Sequence, residues 1–147
     1  MDRSTPPIQV VVDTVDPAAL AEFWAAALAP RGYALPAPPG DALDWPSSLA
    51  ATGVPEQRWN DASALDADGQ PGISFQRVGE TKTVKNRLHI DLLSGGGPSV
   101  PLDEQRARVA AEVARLEGLG ATRLDEHAEL GVHWVTMQDP EGNEFCV

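Results

Sequence analysis

The chain has little cysteine, few basic residues and no long apolar run. A single cysteine, Cys146, stands among 147 residues. A lone thiol closes no disulfide within the chain, which excludes a disulfide-stapled scaffold and suits a reducing compartment. Eleven lysines and arginines face 22 aspartates and glutamates, for a net charge of −11. Nucleic acid and anionic membrane surfaces require a basic footprint, so neither is an expected partner. No apolar stretch approaches the roughly 20 residues that span a bilayer. The opening, MDRSTPPIQ, lacks the charged-then-apolar layout of a signal peptide, and a cytoplasmic location is expected.

What is present fits one globular domain over residues 1–147, with 42% hydrophobic and 22% charged residues. IQVVVD, residues 8–13, alternates Ile8, Val10 and Val12 against Gln9, Val11 and Asp13, the period of a strand. DPAALAEFWAAAL follows, with Asp16 as N-cap, Pro17 in the first turn, and Leu20, Phe23, Trp24, Ala27 and Leu28 at helical spacing. Pro30 and Gly32 stop it, and GYALPA reads as a second strand. Residues 36–57 read as a long loop with one helical turn near Ser47–Thr52. Strands are expected at Trp59–Leu65 and at 72–78, joined by DADGQPG.

After the polar joint GETKTVKN, RLHIDLL alternates Leu88, Ile90 and Leu92 against His89, Asp91 and Leu93. SGGGPSVP is a loop without the Lys-Ser/Thr of a phosphate cradle. A helix from near Asp103 carries Val109, Val113 and Leu116 on one side and ends at Gly118 and Gly120. ATRL reads as a strand, and HWVTMQ pairs with EFCV across the turn DPEGN. Strand, helix and three strands thus occur twice, an internal duplication with module 1 at about 8–78 and module 2 at about 87–147. Gly72-Ile-Ser-Phe-Gln76 echoes Gly142-Asn-Glu-Phe-Cys146, and Gln9 is matched with His89 at the start of each module.

Gln9 seven residues before Asp16, the helix start DPAALAEFW, the segment KNRLHIDL at 85–92 and the closing DPEGNEF together resemble the vicinal oxygen chelate superfamily. That group includes glyoxalase I, fosfomycin-resistance, extradiol dioxygenase and bleomycin-binding proteins. KNRLHIDL resembles in particular its small glyoxalase-like branch, common in GC-rich bacteria. The resemblance implies an α+β fold in which two βαβββ modules pair their curved mixed sheets into a cup with helices outside. It also implies ligand positions on the first and last strands of each module, here Gln9, Gln76, His89 and Cys146, converging on one cavity. Relatives often dimerise, so a homodimer is an expected assembly.

Cys146 is the departure: metal-binding relatives usually carry Glu there. A set of Gln9, His89 and Cys146 suits Zn²⁺ or Ni²⁺ better than Mg²⁺, but with two strong ligands it falls short of a full site. The expectation is therefore no cofactor, with a divalent metal as the alternative. Gln9, Gln76, His89, Trp134 and Cys146 are candidates to line a binding cup for a small, partly aromatic or apolar molecule. Thr136 faces the same way as Trp134, with Val135 and Met137 turned to the helices. Glu144 and Asp91 are the candidate bases if the protein is instead a glyoxalase-type lyase, isomerase or epimerase. Trp45 and Trp59 are candidates to close the mouth, and Trp24 belongs to the core. Lys85 and Arg87 read as a solvated joint or an anion clasp, while His127 and His133 carry no assignment.

Overall fold

The structure is a computed structural model, and it describes residues 8–147. The reading of the opening segment therefore falls largely outside the described residues. The chain divides into two compact units, one ending at Thr81 and the other running from Lys82 to Val147.

The N-terminal unit opens with strand β1 (Gln9–Thr14) and helix α1 (Pro17–Leu28). Asp16 caps the helix by accepting the Ala19 N–H at 3.2 Å. Asn60 completes the cap, donating to Asp16 at 2.8 Å and accepting the Ala18 N–H at 2.8 Å. Those bonds, Asn60 foremost, hold the Asp16 carboxyl below its ordinary value. Gly32, at φ 83°, closes the short 3-10 turn after α1 in the left-handed region that a side chain resists. Helix α2 (Trp45–Ala51) lies in the Pro-rich loop, longer than the single turn expected there. Strands β2 (Ala62–Leu65) and β3 (Gly72–Arg77) complete a sheet of order β1-β3-β2. β1 runs parallel to β3, with Val10 opposite Ile73 and Val12 opposite Phe75. Leu20, Phe23, Trp24 and Leu28 of α1 are buried, as are Leu65, Ile73 and Phe75 of the sheet.

Two strands read from the sequence are shorter than expected. GYALPA keeps one bridge, Ala34 to Asp66, because the prolines that follow Leu35 lack the N–H a ladder needs. The strand expected from Trp59 begins at Ala62, since a 3-10 turn at Glu56–Arg58 is followed by a further turn in which the Asp61 N–H donates to Arg58 O.

The C-terminal unit has helix α3 (Leu102–Leu119) and strands β4 (Thr122–Glu129), β5 (Val132–Gln138) and β6 (Glu144–Cys146), in sheet order β4-β5-β6. Gln105, Val109, Val113 and Leu116 form the buried stripe of α3. Val135 and Met137 are buried on β5, and Phe145 and Val147 at the chain end. Burying each such side chain stabilises by about 1.5–3 kcal/mol. The DPEGN turn closes on Asp139, whose carboxylate accepts from the N–H groups of Glu141 and Asn143 and from the Asn143 side chain.

RLHIDLL forms a single bridge, Asp91 to Cys146, rather than a full strand. Cys146 N–H donates to Ile90 O and Leu92 N–H to Cys146 O, both at 2.9 Å. One step earlier the ladder is replaced by Asn86, whose side chain accepts the Glu144 N–H and donates to Glu144 O and Leu88 O. Leu93, at φ 51°, then turns the chain away. Leu88 is consequently exposed, although the alternation grouped it with Leu92, which is buried. Both units keep the βαβββ order, each with one strand reduced to a bridge.

Candidate functional site

The alternation of β5 places the site. Val135 and Met137 are buried, whereas Trp134 and Thr136 occupy the opposite, half-buried face. Cys146 pairs with Thr136 on one side and with Asp91 on the other. A cavity of about 490 Å³ opens there, bounded by Lys85, His89, Asp91, Trp134, Thr136 and Cys146, with Gly95–Gly97 on its rim. His127 is the register partner of Trp134 and stacks on its indole at 5.1 Å and 19°.

His89, Asp91 and Cys146 cluster on this cavity. One ligand atom from each lies within 4.8 Å of the others. His89 Nε2 is 3.2 Å from Asp91 Oδ1, and both side chains are about half exposed. Burial pushes the Cys146 thiol up; the Thr136 hydroxyl, 3.9 Å from Sγ, opposes that, and the Asp91 carboxylate adds to it. The thiol is therefore disfavoured as a thiolate, and an activated nucleophile is not what this environment makes. Glu144 is tied to the Lys85 ammonium, which holds its carboxyl below the ordinary range. A carboxylate so held is a poor general base, which leaves Asp91 as the better placed of the two candidates.

Gln9 and Gln76 belong to the N-terminal unit, where both are exposed. Gln9 lies opposite Gly72 and Gln76 opposite Asp13, so the two stand four residues, roughly 13 Å, apart along the ladder. Gln9 lines a polar cavity of about 860 Å³ in the N-terminal unit with Arg31, Asp66, Asp68 and Gln70. Trp45 and Trp59 each spend the indole N–H on a loop carbonyl of their own unit, Pro36 and Val54. Trp24 is buried and meets Phe23 edge-on.

The registers also revise how the modules align. With Gln76 matched to Cys146 through Phe75 and Phe145, the first-strand partners are Asp13 and Asp91. His89 then corresponds to Val11, and Gln9 to Arg87. The match of Gln9 with His89 is displaced by two residues, a shift that keeps every side chain on its face and is invisible to alternation.

Two buried polar residues went unassigned in the sequence. Gln105, fully buried, donates to Val100 O and Gly131 O at 2.8 Å each and accepts the His133 N–H at 2.9 Å. His133 lies on the helix-facing side of β5, with Nε2 2.8 Å from Glu126 Oε1 and Nδ1 buried without a hydrogen-bond partner among the described residues. Gln105 was findable, because it continues the apolar stripe of Val109, Val113 and Leu116 one turn earlier.

These sheets, their order and their helices define an α+β fold of the glyoxalase/bleomycin resistance class. Solved structures agree over nearly the whole chain. A glyoxalase/bleomycin resistance protein/dioxygenase family enzyme from Burkholderia phytofirmans PsJN is 17% identical, at a TM-score of 0.58 over 94% of this chain and 93% of that one. TioX from Micromonospora sp. ML1 is 14% identical, at 0.52 over 97% and 96%. A mutant of the fosfomycin resistance protein FosX from Listeria monocytogenes, complexed with Mn(II) and a dihydroxypropylphosphonic acid, is 10% identical, at 0.57 over 97% and 89%. No curated protein matches the chain. The profile of the glyoxalase-like domain matches residues 9–147, and the chain belongs to that family, within the vicinal oxygen chelate superfamily. No helix among the described residues is long and apolar enough to cross a membrane.

Proposed function

We propose that the protein binds a small, partly aromatic or apolar molecule in the cavity of its C-terminal unit, in the manner of a bleomycin-resistance protein. The observation that carries this reading is the cavity wall: Trp134 offers a stacking surface beside the neutral Cys146 thiol and the Thr136 hydroxyl. A volume of about 490 Å³ suits a small organic ligand. The test is equilibrium binding of a panel of small aromatic compounds to wild type and Trp134→Ala. Loss of the stacking surface should weaken bound compounds about tenfold. Cys146→Ser should weaken them only modestly and leave the thermal midpoint nearly unchanged. Binding indifferent to Trp134 would sink this reading.

A second reading has its own observation, the clustering of His89, Asp91 and Cys146. Imidazole, carboxylate and thiolate form a donor set that fits Zn²⁺ or Ni²⁺ and is too soft for a magnesium-type oxygen site. Asp91 supplies a third strong ligand beyond His89 and Cys146, while Gln9 lines the polar cavity of the other unit. Such an ion would polarise a substrate carbonyl, the chemistry of a glyoxalase-type lyase, isomerase or epimerase. Here Asp91 serves either as ligand or as base, since a carboxylate bound to metal no longer takes up a proton readily. Metal analysis of protein purified without chelator separates the readings. The binder should hold well under one equivalent of divalent ion. Stoichiometric Zn²⁺ or Ni²⁺ that disappears in His89→Ala would establish the second reading.

A further inference from the structure

We infer that the cavity of the C-terminal unit selects a planar organic cation, an aromatic ring system bearing a fixed positive charge. This rests on the binding reading above and adds the charge of the ligand to it. Three observations carry it.

The first is Trp134, whose indole forms part of the wall while His127, stacked against it, stands outside the lining. The electron-rich face of an indole attracts a cation, and a flat cation gains dispersion and charge attraction in the same pose. The second is the charge of the wall. Lys85 is the lining residue with a permanent positive charge, and its ammonium already sits on Glu144. Asp91 lines the cavity, lies 3.2 Å from His89, and has a side chain 53% exposed. An anion entering here would meet a carboxylate with the one ammonium already engaged, and a neutral ring would gain only the stacking. The third is the net charge of −11, whose field raises the local concentration of cations and lowers that of anions.

The experiment compares three probes on one ring frame at neutral pH: N-methylquinolinium as cation, quinoline as neutral ring and a quinoline carboxylate as anion. Binding is followed by calorimetry at low and at raised salt. The cation should bind about tenfold tighter than quinoline at low salt, with the carboxylate weakest and the cation's advantage shrinking as salt rises. In Asp91→Asn the cation should fall to about the affinity of quinoline, and circular dichroism reports whether the variant is folded. Quinoline or the carboxylate binding as tightly as the cation overturns the selection for charge and leaves the binding reading standing. A cation preference that survives Asp91→Asn overturns the role given to that carboxylate. If none of the three binds, the binding reading fails together with this inference.

Discussion

Both units bury a phenylalanine at the same step of their last strand, Phe75 in β3 and Phe145 in β6, yet the next residue is Gln76 in one and Cys146 in the other. Each of these residues lies opposite an aspartate on the first strand, Asp13 and Asp91. In the N-terminal unit Val11 and Ser74 precede the pair, and among the described residues no cluster of histidine, cysteine and carboxylate side chains forms around it. In the C-terminal unit His89 and Thr136 adjoin it, and Trp134 stands nearby on the cavity wall. The same backbone step thus lies in plain sheet in one unit and beside a cluster of candidate donor side chains in the other. The buried half of the step is kept, and the outward half is free to change.

That comparison breaks most visibly if the buried half is removed. Phe75→Ala and Phe145→Ala should each cost about 3–5 kcal/mol, because each deletes a ring from a filled core. Equilibrium urea unfolding would measure both. If either costs less than about 1 kcal/mol, the two phenylalanines are not equivalent core positions, and the alignment through them fails.

A smaller effect separates how the two units use polar groups inside. Helix α1 buries only apolar side chains and Pro17, whereas α3 buries Gln105 among its valines and leucine. Gln105→Leu keeps the volume but strands two carbonyls and an N–H, and should cost about 2–3 kcal/mol. A neutral outcome would mean that water replaces the amide, and the loop before α3 would then not depend on it.

Smaller again is the difference in capping. Asp16 caps α1 with its side chain, whereas Pro101 precedes α3 with no side-chain cap. Asp16→Ala should cost about 1 kcal/mol, and Pro101→Ser should be neutral or gain a few tenths. A calorimetric midpoint unchanged in Asp16→Ala would show that Asn60 alone satisfies the first turn.

How far the sequence could be read follows from these particulars. Helix α1 was legible because cap, proline and apolar spacing agree, and β5 because the turn DPEGN sets HWVTMQ against EFCV, in a strand whose burial alternates from Val132 to Gln138. The face of Trp134, Thr136 and Cys146 was legible from strand alternation. The register between strands was not, since a two-residue displacement leaves every face unchanged. Hence His89 was matched to Gln9, and Asp91 was read as a candidate base and not as a third donor beside His89 and Cys146. The strands at GYALPA and RLHIDLL were overestimated because local pattern does not show what competes for a ladder. In one case proline removes the donors, and in the other the Asn86 side chain takes the place of a peptide group. Lys85 was beyond local reading altogether, for its partner Glu144 lies 59 residues away.

That partnership yields the smallest effect and the one most sensitive to pH. Lys85 holds the Glu144 carboxyl below the ordinary carboxylate range, chiefly by hydrogen bonding and then by charge. A carboxyl depressed in the folded state stabilises the fold at pH above its unfolded value. That contribution is lost as pH falls through the folded value, where Glu144 takes up a proton. Lys85→Gln removes the cause, so its deficit relative to wild type should be present at neutral pH and vanish in acid. The ammonium side chain is 79% exposed, so the deficit is small and raised salt should shrink it. The exposed Arg58–Asp61 pair of the other unit, at 2.9 Å, provides the control, because its partners lie three residues apart within one turn. Thermal midpoints of wild type, Lys85→Gln and Arg58→Gln, taken at neutral and acid pH, would decide it. A Lys85→Gln deficit that persists unchanged in acid would mean that Lys85 acts through packing rather than through the Glu144 charge.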